Sequence, residues 1–377
     1  MARNRVIYQS EALYVSQNAE STVATGHEQL SRVQSANYSY SINRQDVNQY
    51  GQLARIDSLV LDPPTVSIDF SYYLTDGSNE RMLDFYVQTG DAGYNNGAAT
   101  APGNFASGHM NAESGINVYV VTSPAGNDIN LGGAIDVTDE VIGVGNCYLS
   151  DYSIDLSVGS LPTASVTLEG ANMASSLGDS ITNPSINQES GTPVAATPIA
   201  LPVPRSGFGH DKDTVTALRP GDITMAINAF DGQTITDIVG ADSCNVQSAS
   251  ISIPLSRSPL DRLGSKFPFA REVDFPVVST LSVSALMNEE ARYNLATGLD
   301  GAEKDVTITM RDPDGGTGII WDFKNALVES ENWSSSIGSN KSVDLTFTTQ
   351  IGGPEDLAAG VFMSGSNTGY LAWVQEF

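Results

Sequence analysis

Histidine and cysteine are the residues of this chain whose chemistry is easiest to recognise from their spacing. His27, His109 and His210 each lie in a polar or glycine-rich segment, and Cys147 and Cys244 form no CxxC pair. Because a structural metal site needs about four ligands at short spacing, we predict no metal and interpret the histidines as surface residues. Two buried free thiols are the favoured interpretation of the cysteines, and one disulfide between them stays open.

Motifs for nucleotide binding and nucleophilic catalysis are absent from the sequence. There is no GxxxxGK[ST] loop and no GxSxG elbow. Asp312-Pro313-Asp314-Gly315-Gly316 begins like a calcium loop, but its twelfth position, where an EF-hand has Glu, is Phe323. A pair of carboxylates for glycoside chemistry stays open, although no pair is singled out. We therefore predict no catalytic residue and no cofactor. Combined with the duplication, β content and acidity described below, this absence favours a structural protein.

Composition and charge disfavour disordered, nucleic-acid-binding, membrane-spanning and secreted proteins. With 377 residues, 40% of them hydrophobic and 16% charged, the chain can form two or three domains with real cores. A net charge of −26 disfavours tight binding of nucleic acid, which needs a basic face. No stretch approaches the roughly 20 apolar residues of a membrane span. The N-terminus lacks the apolar core of a signal peptide.

The elements of the chain follow a pattern that occurs twice. Val33-Gln34-Ser35-Ala36 recurs as Val246-Gln247-Ser248-Ala249, an offset of 213 positions. Further identities recur at the same offset: Ser39, Arg44, Gly51, Val60, Pro63 and Ser71. Alternation of period two predicts a strand in each copy. Its buried face carries Tyr38, Tyr40 and Ile42 in the first copy, and Ile251, Ile253 and Leu255 in the second.

The second copy is shorter than the first. The segment around Val118 matches the one around Val306 at an offset of 189, and a later hairpin matches at an offset of 179. Most of the difference lies in the Gly-, Asn- and Ala-rich stretch Thr89–Gly115, which we predict to be an exposed insertion. A short helix is expected at Asn79–Phe85 and again at Asn288–Leu295. The predicted divisions are an N-terminal arm (1–32), a first domain (33–175), an extended Pro-rich linker (176–240), a second domain (241–350) and a C-terminal docking segment (351–377).

Basic residues are concentrated in two equivalent loops, 44–62 and 257–275. Six of the 18 bases lie there: Arg44, Arg55, Arg257, Arg262, Lys266 and Arg271. From Met82 to Pro204 the chain has twelve acidic residues and no Lys or Arg. Basic loops that face an acidic surface on another copy would suit stacking of subunits. Plain solvated loops are the alternative, and the sequence leaves both open.

The stretch from Val33 to Ala54, with Asn43-Arg44-Gln45-Asp46-Val47 and Tyr50-Gly51-Gln52-Leu53 at its centre, resembles the major tail proteins of tailed bacteriophages. Val6-Ile7-Tyr8-Gln9 near the start is similar as well. The resemblance covers about the first 90 residues directly and the rest through the repeat. It implies a mainly β fold of two tandem β-sandwich or part-barrel tail-tube domains, each with a short flanking helix, joined by the Pro-rich linker.

The resemblance also implies a role and partners. The protein would be a non-enzymatic virion protein of the tail, assembled in the host cytoplasm together with other tail proteins. Tubes of this family are pseudo-sixfold, so a chain with two tube domains would form a homotrimeric ring. The six basic residues would lie where rings stack. Viral DNA would pass through a negatively charged channel as cargo that is not bound, and Asp69, Asp151 and Asp155 are the candidates for its lining.

Two other functions remain open at the level of sequence. Another β-sandwich virion protein, such as a capsid decoration or a baseplate or hub component, would have a similar composition. A secreted carbohydrate-binding protein of repeated sandwiches is disfavoured, because Trp321, Trp333 and Trp373 are scattered and form no sugar platform.

Overall fold

The structure is a computed structural model and is mainly β. It describes residues 11–16, 27–89, 103–111, 115–124, 129, 134–194, 198–202, 217–219, 223–230, 233–235, 245–286, 303–311, 317–336, 340–353 and 356–365. Two short helices are present in these ranges, α1 (Ser78–Met82) and α2 (Ser107–Asn111). The expected helix Asn79–Phe85 is thus found one residue earlier and shorter, and its expected counterpart at 288–295 lies outside the described residues.

Most described residues belong to strands. Up to residue 177 the strands are β1 (Glu11–Ser16), β2 (His27–Gln29), β3 (Val33–Ser41), β4 (Arg44–Val47), β5 (Asp57–Val60), β6 (Thr65–Tyr73), β7 (Gln88–Thr89), β8 (Ile116–Thr122), β9 (Glu140–Ser157), β10 (Thr163–Gly170) and β11 (Asn172–Leu177). The later strands are β12 (Ile186–Asn187), β13 (Thr192–Pro193), β14 (Ile223–Phe230), β15 (Gln233–Ile235), β16 (Asn245–Pro254), β17 (Arg257–Leu260), β18 (Ala270–Val273), β19 (Val277–Leu286), β20 (Lys304–Arg311), β21 (Thr317–Ser334), β22 (Ser342–Ile351) and β23 (Gly360–Gly365).

Three sheets share one hydrophobic core. The long sheet has eight antiparallel strands in the order β3-β6-β10-β9-β16-β19-β22-β21. The first short sheet is β2-β1-β8-β9-β11, and the second is β15-β14-β20-β21-β23-β7. The 18-residue strands β9 and β21 each run through the long sheet and one short sheet. Side chains from all three sheets pack into the same core.

Strand pairing repeats at the offsets found in the sequence. Val33 lies opposite Tyr72 and Val246 opposite Ala285, and in both pairs the register then shifts by one residue. The hairpins β9–β10 and β21–β22 agree at an offset of 179, including a shift at equivalent places. Asn146 and Asn325, also 179 apart, both adopt the left-handed conformation, with φ of 50° and 52°. Equal registers and equal irregularities follow from two copies of one pattern.

One predicted offset is wrong by a single residue. Val118 pairs with Val144 and Val306 pairs with Phe323, so β8 matches β20 at an offset of 188 instead of 189. The estimate of 189 also used a proline and a glycine in the following loops, where the two copies differ in length. The correction matters because a shift of one residue moves each side chain of a strand to the opposite face.

The repeat begins earlier than Val33. Val15 of β1 pairs with Val118, and Ile227 of β14 pairs with Val306, so these two strands are equivalent. Strands β14–β23 therefore follow the same order as β1–β11, except that β7 has no counterpart. We call β1–β11 the first repeat and β14–β23 the second repeat. The predicted arm (1–32) contains β1 and β2 of the first short sheet, and the predicted linker (176–240) contains β14 and β15 of the second. The domain boundaries themselves stay a prediction.

The linker prediction needs a further correction. Ile181, Ile199 and Leu201 are buried and pack with Tyr14 and Tyr119 on the face of the first short sheet that points away from the main core. An extended crossing segment would leave these side chains exposed. This part of the chain therefore covers the first repeat.

Two predictions about single residues are wrong as well. His27 and His109 are buried, each with less than a tenth of its surface exposed, although both were expected at the surface. The His27 ring packs beside that of Tyr119, with 5.5 Å between ring centres, and such contacts form only on folding. Cys147 is a buried free thiol, and burial raises its pKa. Cys244 and His210 lie outside the described residues.

Candidate assembly surfaces

The first repeat joins the second through strands β9 and β16, a contact that we call the internal junction. Ala249, Ile251 and Ile253 lie opposite Leu156, Ile154 and Tyr152, respectively. All six side chains are at most 4% exposed. The internal junction is thus a continuous part of the long sheet with a fully buried apolar face, and the two repeats are joined by main-chain hydrogen bonds.

Residues 103–111, which belong to the predicted exposed insertion, pack at the internal junction. Phe105 is fully buried, and its ring lies 4.2 Å from that of Phe85 and 4.7 Å from that of Trp321, centre to centre. Its backbone N–H donates to the carbonyl oxygen of Val361 at 2.8 Å. Beside it, β7 of the first repeat pairs with β23 of the second. The prediction of exposure was wrong here because small and polar residues surround one buried aromatic anchor.

A buried carboxylate lies next to this aromatic cluster. Oε1 of Glu80 accepts hydrogen bonds from the hydroxyl groups of Tyr72 at 2.9 Å and Tyr152 at 3.1 Å. Burial raises the pKa of Glu80 to about 7, and the two phenol donors oppose that shift. Because Glu80 and both of its phenol donors are fully buried, we interpret the group as structural.

Two edges of the long sheet are unpaired within the described part of the chain. At one end β3 pairs only with β6, and at the other end residues 327–334 of β21 pair only with β22. By the repeat, β3 is the equivalent of β16 and β21 is the equivalent of β9. The chain therefore presents, at its two ends, the two halves of the contact that it makes at the internal junction.

These edges expose aromatic side chains. Tyr38 and Tyr40 are 39% and 61% exposed, and Trp333 on the other edge is 40% exposed. The prediction that the Tyr38 face is buried, as it is in the second copy, is wrong for the single chain. The physical reason is position, since β16 is an interior strand with two neighbours whereas β3 has one. Exposed apolar side chains on an unpaired edge mark a surface that another strand can cover.

The two predicted basic loops fold as small hairpins, β4–β5 and β17–β18, that match at the offset of 213. Gly51 and Gly264 have φ of 88° and 90°, a region that favours glycine, and each stands at the tip of its hairpin. The residue before each glycine, Tyr50 or Leu263, is fully exposed. Both tips therefore present an apolar side chain to solvent.

The six basic residues differ in their surroundings. Arg44 and Lys266 are exposed, and Arg55 forms an exposed ion pair with Asp46 at 2.9 Å. The remaining three contact their own chain: Arg257 and Arg271 are half-buried, and Arg262 is exposed.

Arg257 joins the second hairpin to the first repeat. It donates to the carbonyl oxygens of Arg271 at 2.9 Å and of His109, and its guanidinium lies over the ring of Tyr148. Arg271 lies 3.7 Å from a carboxylate oxygen of Glu169. Arg262 donates to the carbonyl oxygen of Glu189. The hairpin β17–β18 is thus held against the first repeat, whereas all residues of β4 are exposed.

Asp69, Asp151 and Asp155, the predicted channel residues, lie on one face of the long sheet. Asp69 and Asp151 are both opposite Thr167, on either side of it, and Asp155 is opposite Thr163. Asn37 donates to Asp69 at 2.8 Å, and partial burial raises the pKa of Asp151. The rest of this polar face is mostly Ser and Thr. The parts of the eight strands that lie in the long sheet contain no Lys or Arg.

Other kinds of site find no support in the described residues. Those ranges contain no group of three or more His, Cys, Asp or Glu residues able to hold a metal ion. Across the same ranges, no helix is long and apolar enough to cross a membrane.

Sequence reasoning missed the two open edges, because a strand's neighbours are not written in its own pattern. The one available signal was the repeat itself. It makes β3 the equivalent of β16, which has neighbours on both sides, so a missing neighbour of β3 would have to come from another chain. Phe105 gave no signal, since its neighbours in the sequence are small and polar.

Comparisons with known proteins find similar chains among solved structures. No protein-family model matches the sequence, and no curated protein matches it. Among solved structures, the chain is similar to one from the tail of an empty GTA particle, with 17% identity, a TM-score of 0.26 and coverage of 36% of this chain and 96% of that one. It is similar to the SPP1 tail tube, with 10% identity, a TM-score of 0.26 and coverage of 40% and 80%. It is similar to Hcp protein, with 8% identity, a TM-score of 0.20 and coverage of 38% and 98%.

Proposed function

We propose that this chain is a structural, non-enzymatic subunit of a phage tail tube, built from stacked rings around a channel. One observation carries the proposal: the chain makes the β9–β16 contact once internally and presents the equivalents of both strands, β21 and β3, as open edges. A contact between different surfaces of identical chains propagates head to tail. If the rotation between successive copies closes, the product is a ring.

The ring that we propose has three chains. Each chain contributes two repeats, so three chains provide six similar repeats and a pseudo-sixfold ring. Three internal junctions then alternate with three junctions between subunits. The long sheets of the three chains join into one sheet that surrounds the channel.

The repeat defines the register of the junction between subunits. Each residue of β16 is replaced by its equivalent in β3, 213 positions earlier, and each residue of β9 by its equivalent in β21, 179 positions later. The pairs of the internal junction then give the pairs expected between subunits. Tyr38 lies opposite Trp333, and Tyr40 lies opposite Glu331. On the polar face, Ser39 lies opposite Asn332. Adding a strand to each open edge would cover the exposed aromatic residues and satisfy the unpaired backbone groups.

Stacking of rings is assigned to the two hairpins. Their apolar tips, Tyr50 and Leu263, stand free of the sheet and suit contact with the next ring. Of the basic residues, Arg44, Arg55 and Lys266 are exposed and fit a contact with acidic surface on that ring. Arg257, Arg262 and Arg271 contact their own chain, so their part in stacking is to hold the second hairpin in place.

The polar face of the long sheet is proposed to line the channel. It carries Asp69, Asp151 and Asp155 among Ser and Thr. Carboxylates repel phosphate groups over about a Debye length, roughly 8 to 10 Å at physiological salt. DNA would therefore pass along such a wall as cargo without being bound. The proposal includes a location in the virion tail, after assembly in the host cytoplasm with other tail proteins.

The test is a disulfide across the proposed junction between subunits. Cα atoms of directly opposite residues on antiparallel strands are about 4.5 to 5.5 Å apart, within the range for a disulfide. Under mild oxidation, Ser39→Cys with Asn332→Cys should give covalent trimers in denaturing electrophoresis. The control is Ser35→Cys with Ser330→Cys, whose positions lie on the same edges but far out of register. Equal cross-linking of both variants, or none in either, would refute the junction. Electron microscopy of the same material should show threefold rings with six lobes.

A further inference from the structure

The two open edges of the long sheet differ in charge. The edge of β21 carries two carboxylates, Glu329 and Glu331, and no base between residues 327 and 334. The nearby cation is Lys341, whose ammonium lies over the Trp333 ring at 4.7 Å. The edge strand β3 contains no charged residue, and Arg44 follows it after a gap of two residues. Glu329 is exposed, and Glu331 is half-buried on the apolar face opposite Leu345. This asymmetry bears on which edge can pair with which.

An unpaired antiparallel edge can also pair with a second copy of itself. Two β21 edges related by a twofold axis would form a dimer that cannot close into a ring, because both of its free edges are then β3 edges. The internal junction shows that this edge geometry accepts an antiparallel strand. A chain that builds rings therefore needs a feature that disfavours the twofold pairing.

The carboxylates on β21 oppose the twofold pairing in its central registers. With the axis at Ser330, Glu329 of each copy lies opposite Glu331 of the other, which places two pairs of like charges across the contact. With the axis at Glu331, that residue faces its own copy. Like charges directly opposite one another destabilise a pair of strands. Removal of these charges would leave Trp333 and Leu327 exposed on the edge without the like-charge pairs that oppose self-association.

Pairing of β21 with β3 places the same two acids favourably. The repeat puts Tyr40 of the next chain opposite Glu331, so that a phenol lies beside a carboxylate. The internal junction also has a hydrogen bond from Leu255 N–H to the carbonyl oxygen of Ser150. The equivalent hydrogen bond between subunits runs from the N–H of Ile42 to the carbonyl oxygen of Glu329. Arg44 follows Ile42 by two residues and so lies close to Glu329. Head-to-tail pairing thus gives the acids a hydroxyl group and a cation as neighbours.

We propose that Glu329 and Glu331 select the β3 edge as partner and reject a second β21 edge, so that subunits add head to tail instead of pairing as twofold dimers. This inference rests on the proposed function, since it concerns the same junction between subunits. The two acids act through the relative free energies of two assemblies, which is a matter of specificity. They need add little to the stability of the folded chain.

The experiment compares Glu329→Gln/Glu331→Gln with a control of equal charge, Glu140→Gln/Asp179→Asn. The control acids are exposed and lie in the first short sheet and in the turn after it, away from both open edges of the long sheet. Ser330→Cys is added to each background as a reporter, since its sulfur atoms meet only across a twofold β21 contact. Native mass spectrometry measures dimers and trimers, and denaturing electrophoresis under mild oxidation measures the reporter disulfide.

We expect the Gln variant to shift the ratio of twofold dimers to rings by about tenfold, since two opposed like-charge pairs are removed. The reporter disulfide should appear in that variant and stay near background in the control. An unchanged ratio without the disulfide would overturn the inference. The proposed function is tested by a different result: it fails if Ser39→Cys with Asn332→Cys gives no covalent trimer. Cross-linking of that pair together with unchanged Gln variants would remove only the role of the two acids.

Discussion

The guanidinium carbon of Arg257 lies 4.8 Å from the centre of the Tyr148 ring, so a cation of the second repeat packs on an aromatic ring of the first. The equivalent positions at the open edges are Arg44 and Leu327. Leu327 has no aromatic face, and it is 47% exposed in the single chain. Within the chain, the arginine of the second hairpin therefore packs on an aromatic ring. In the proposed contact between chains, the arginine of the first hairpin meets an aliphatic side chain instead.

Reversal of charge at these two arginines should have different effects. Arg257→Glu removes a partly buried cation that donates to two carbonyl oxygens and packs on Tyr148, so it should lower the thermal unfolding midpoint by several degrees. Arg44→Glu should leave the midpoint within about 1 °C, since that residue is exposed, but should impair assembly of rings and tubes. Calorimetry of the dissociated protein and electron microscopy measure the two effects. Equal destabilisation by both substitutions would contradict the assignment.

Phe105 should be a main determinant of stability, although it lies in a segment rich in small residues. Phe105→Ala removes a fully buried ring between the two repeats and should lower the free energy of unfolding by about 3 to 5 kcal/mol. Phe269→Ala is the matched control, because that ring is 41% exposed and its loss should cost less than about 1 kcal/mol. Urea denaturation followed by tryptophan fluorescence compares the two. Similar losses in both variants would place Phe105 outside the core.

Glu80 should make stability fall as pH rises. Burial raises its pKa from 4.5 to about 7, so between these values the folded chain binds the proton more readily than the unfolded chain does. Stability is then greatest below pH 4.5 and declines up to about pH 7, by roughly 3 kcal/mol from this group. Glu80→Gln removes the titration. The difference in unfolding free energy between wild type and variant should therefore shift in favour of the variant from pH 5 to pH 8.

His109 titrates in the opposite sense, and the comparison with Glu80→Gln cancels it. Burial and the nearby Arg257 lower its pKa to about 3, so its contribution to stability is lost as pH falls from about 6.5 toward 3. Both proteins retain His109. A constant difference between wild type and Glu80→Gln across pH 5 to 8 would show that Glu80 is ionised throughout this range.

Charge on the polar face should decide whether assembled tubes retain DNA. Asp69→Lys/Asp155→Lys should still assemble, because both residues point away from the core. Such tubes should bind short DNA duplexes at low salt and release them at higher salt, as expected for phosphate contacts. Asp179→Lys, at an exposed turn outside the long sheet, is the control and should bind little. Co-sedimentation of labelled DNA with tubes measures retention. Equal binding by the control and the double variant would place the polar face outside the channel.

Sequence alone gave the parts of the fold that depend on local pattern. The strand from Val33, its copy at Val246 and the glycine turns follow from alternation and from residues with special backbone geometry. The burial of Phe105 could not be inferred, because it depends on Trp321 and Val361, more than 200 positions away. The exposure of Tyr38 could not be inferred either, since alternation marks an apolar face without saying whether a neighbour covers it.

The segment around Phe105 has a mechanical consequence for the proposed tube. It fills the internal junction, and the shorter second copy has fewer residues between β19 and β20 to fill the junction between subunits in the same way. Each ring would then have three stiff seams and three compliant ones, in alternation. Under bending or axial load, strain would concentrate at the compliant seams, so a tube of such rings would flex along three lines, and breakage would separate it into whole chains.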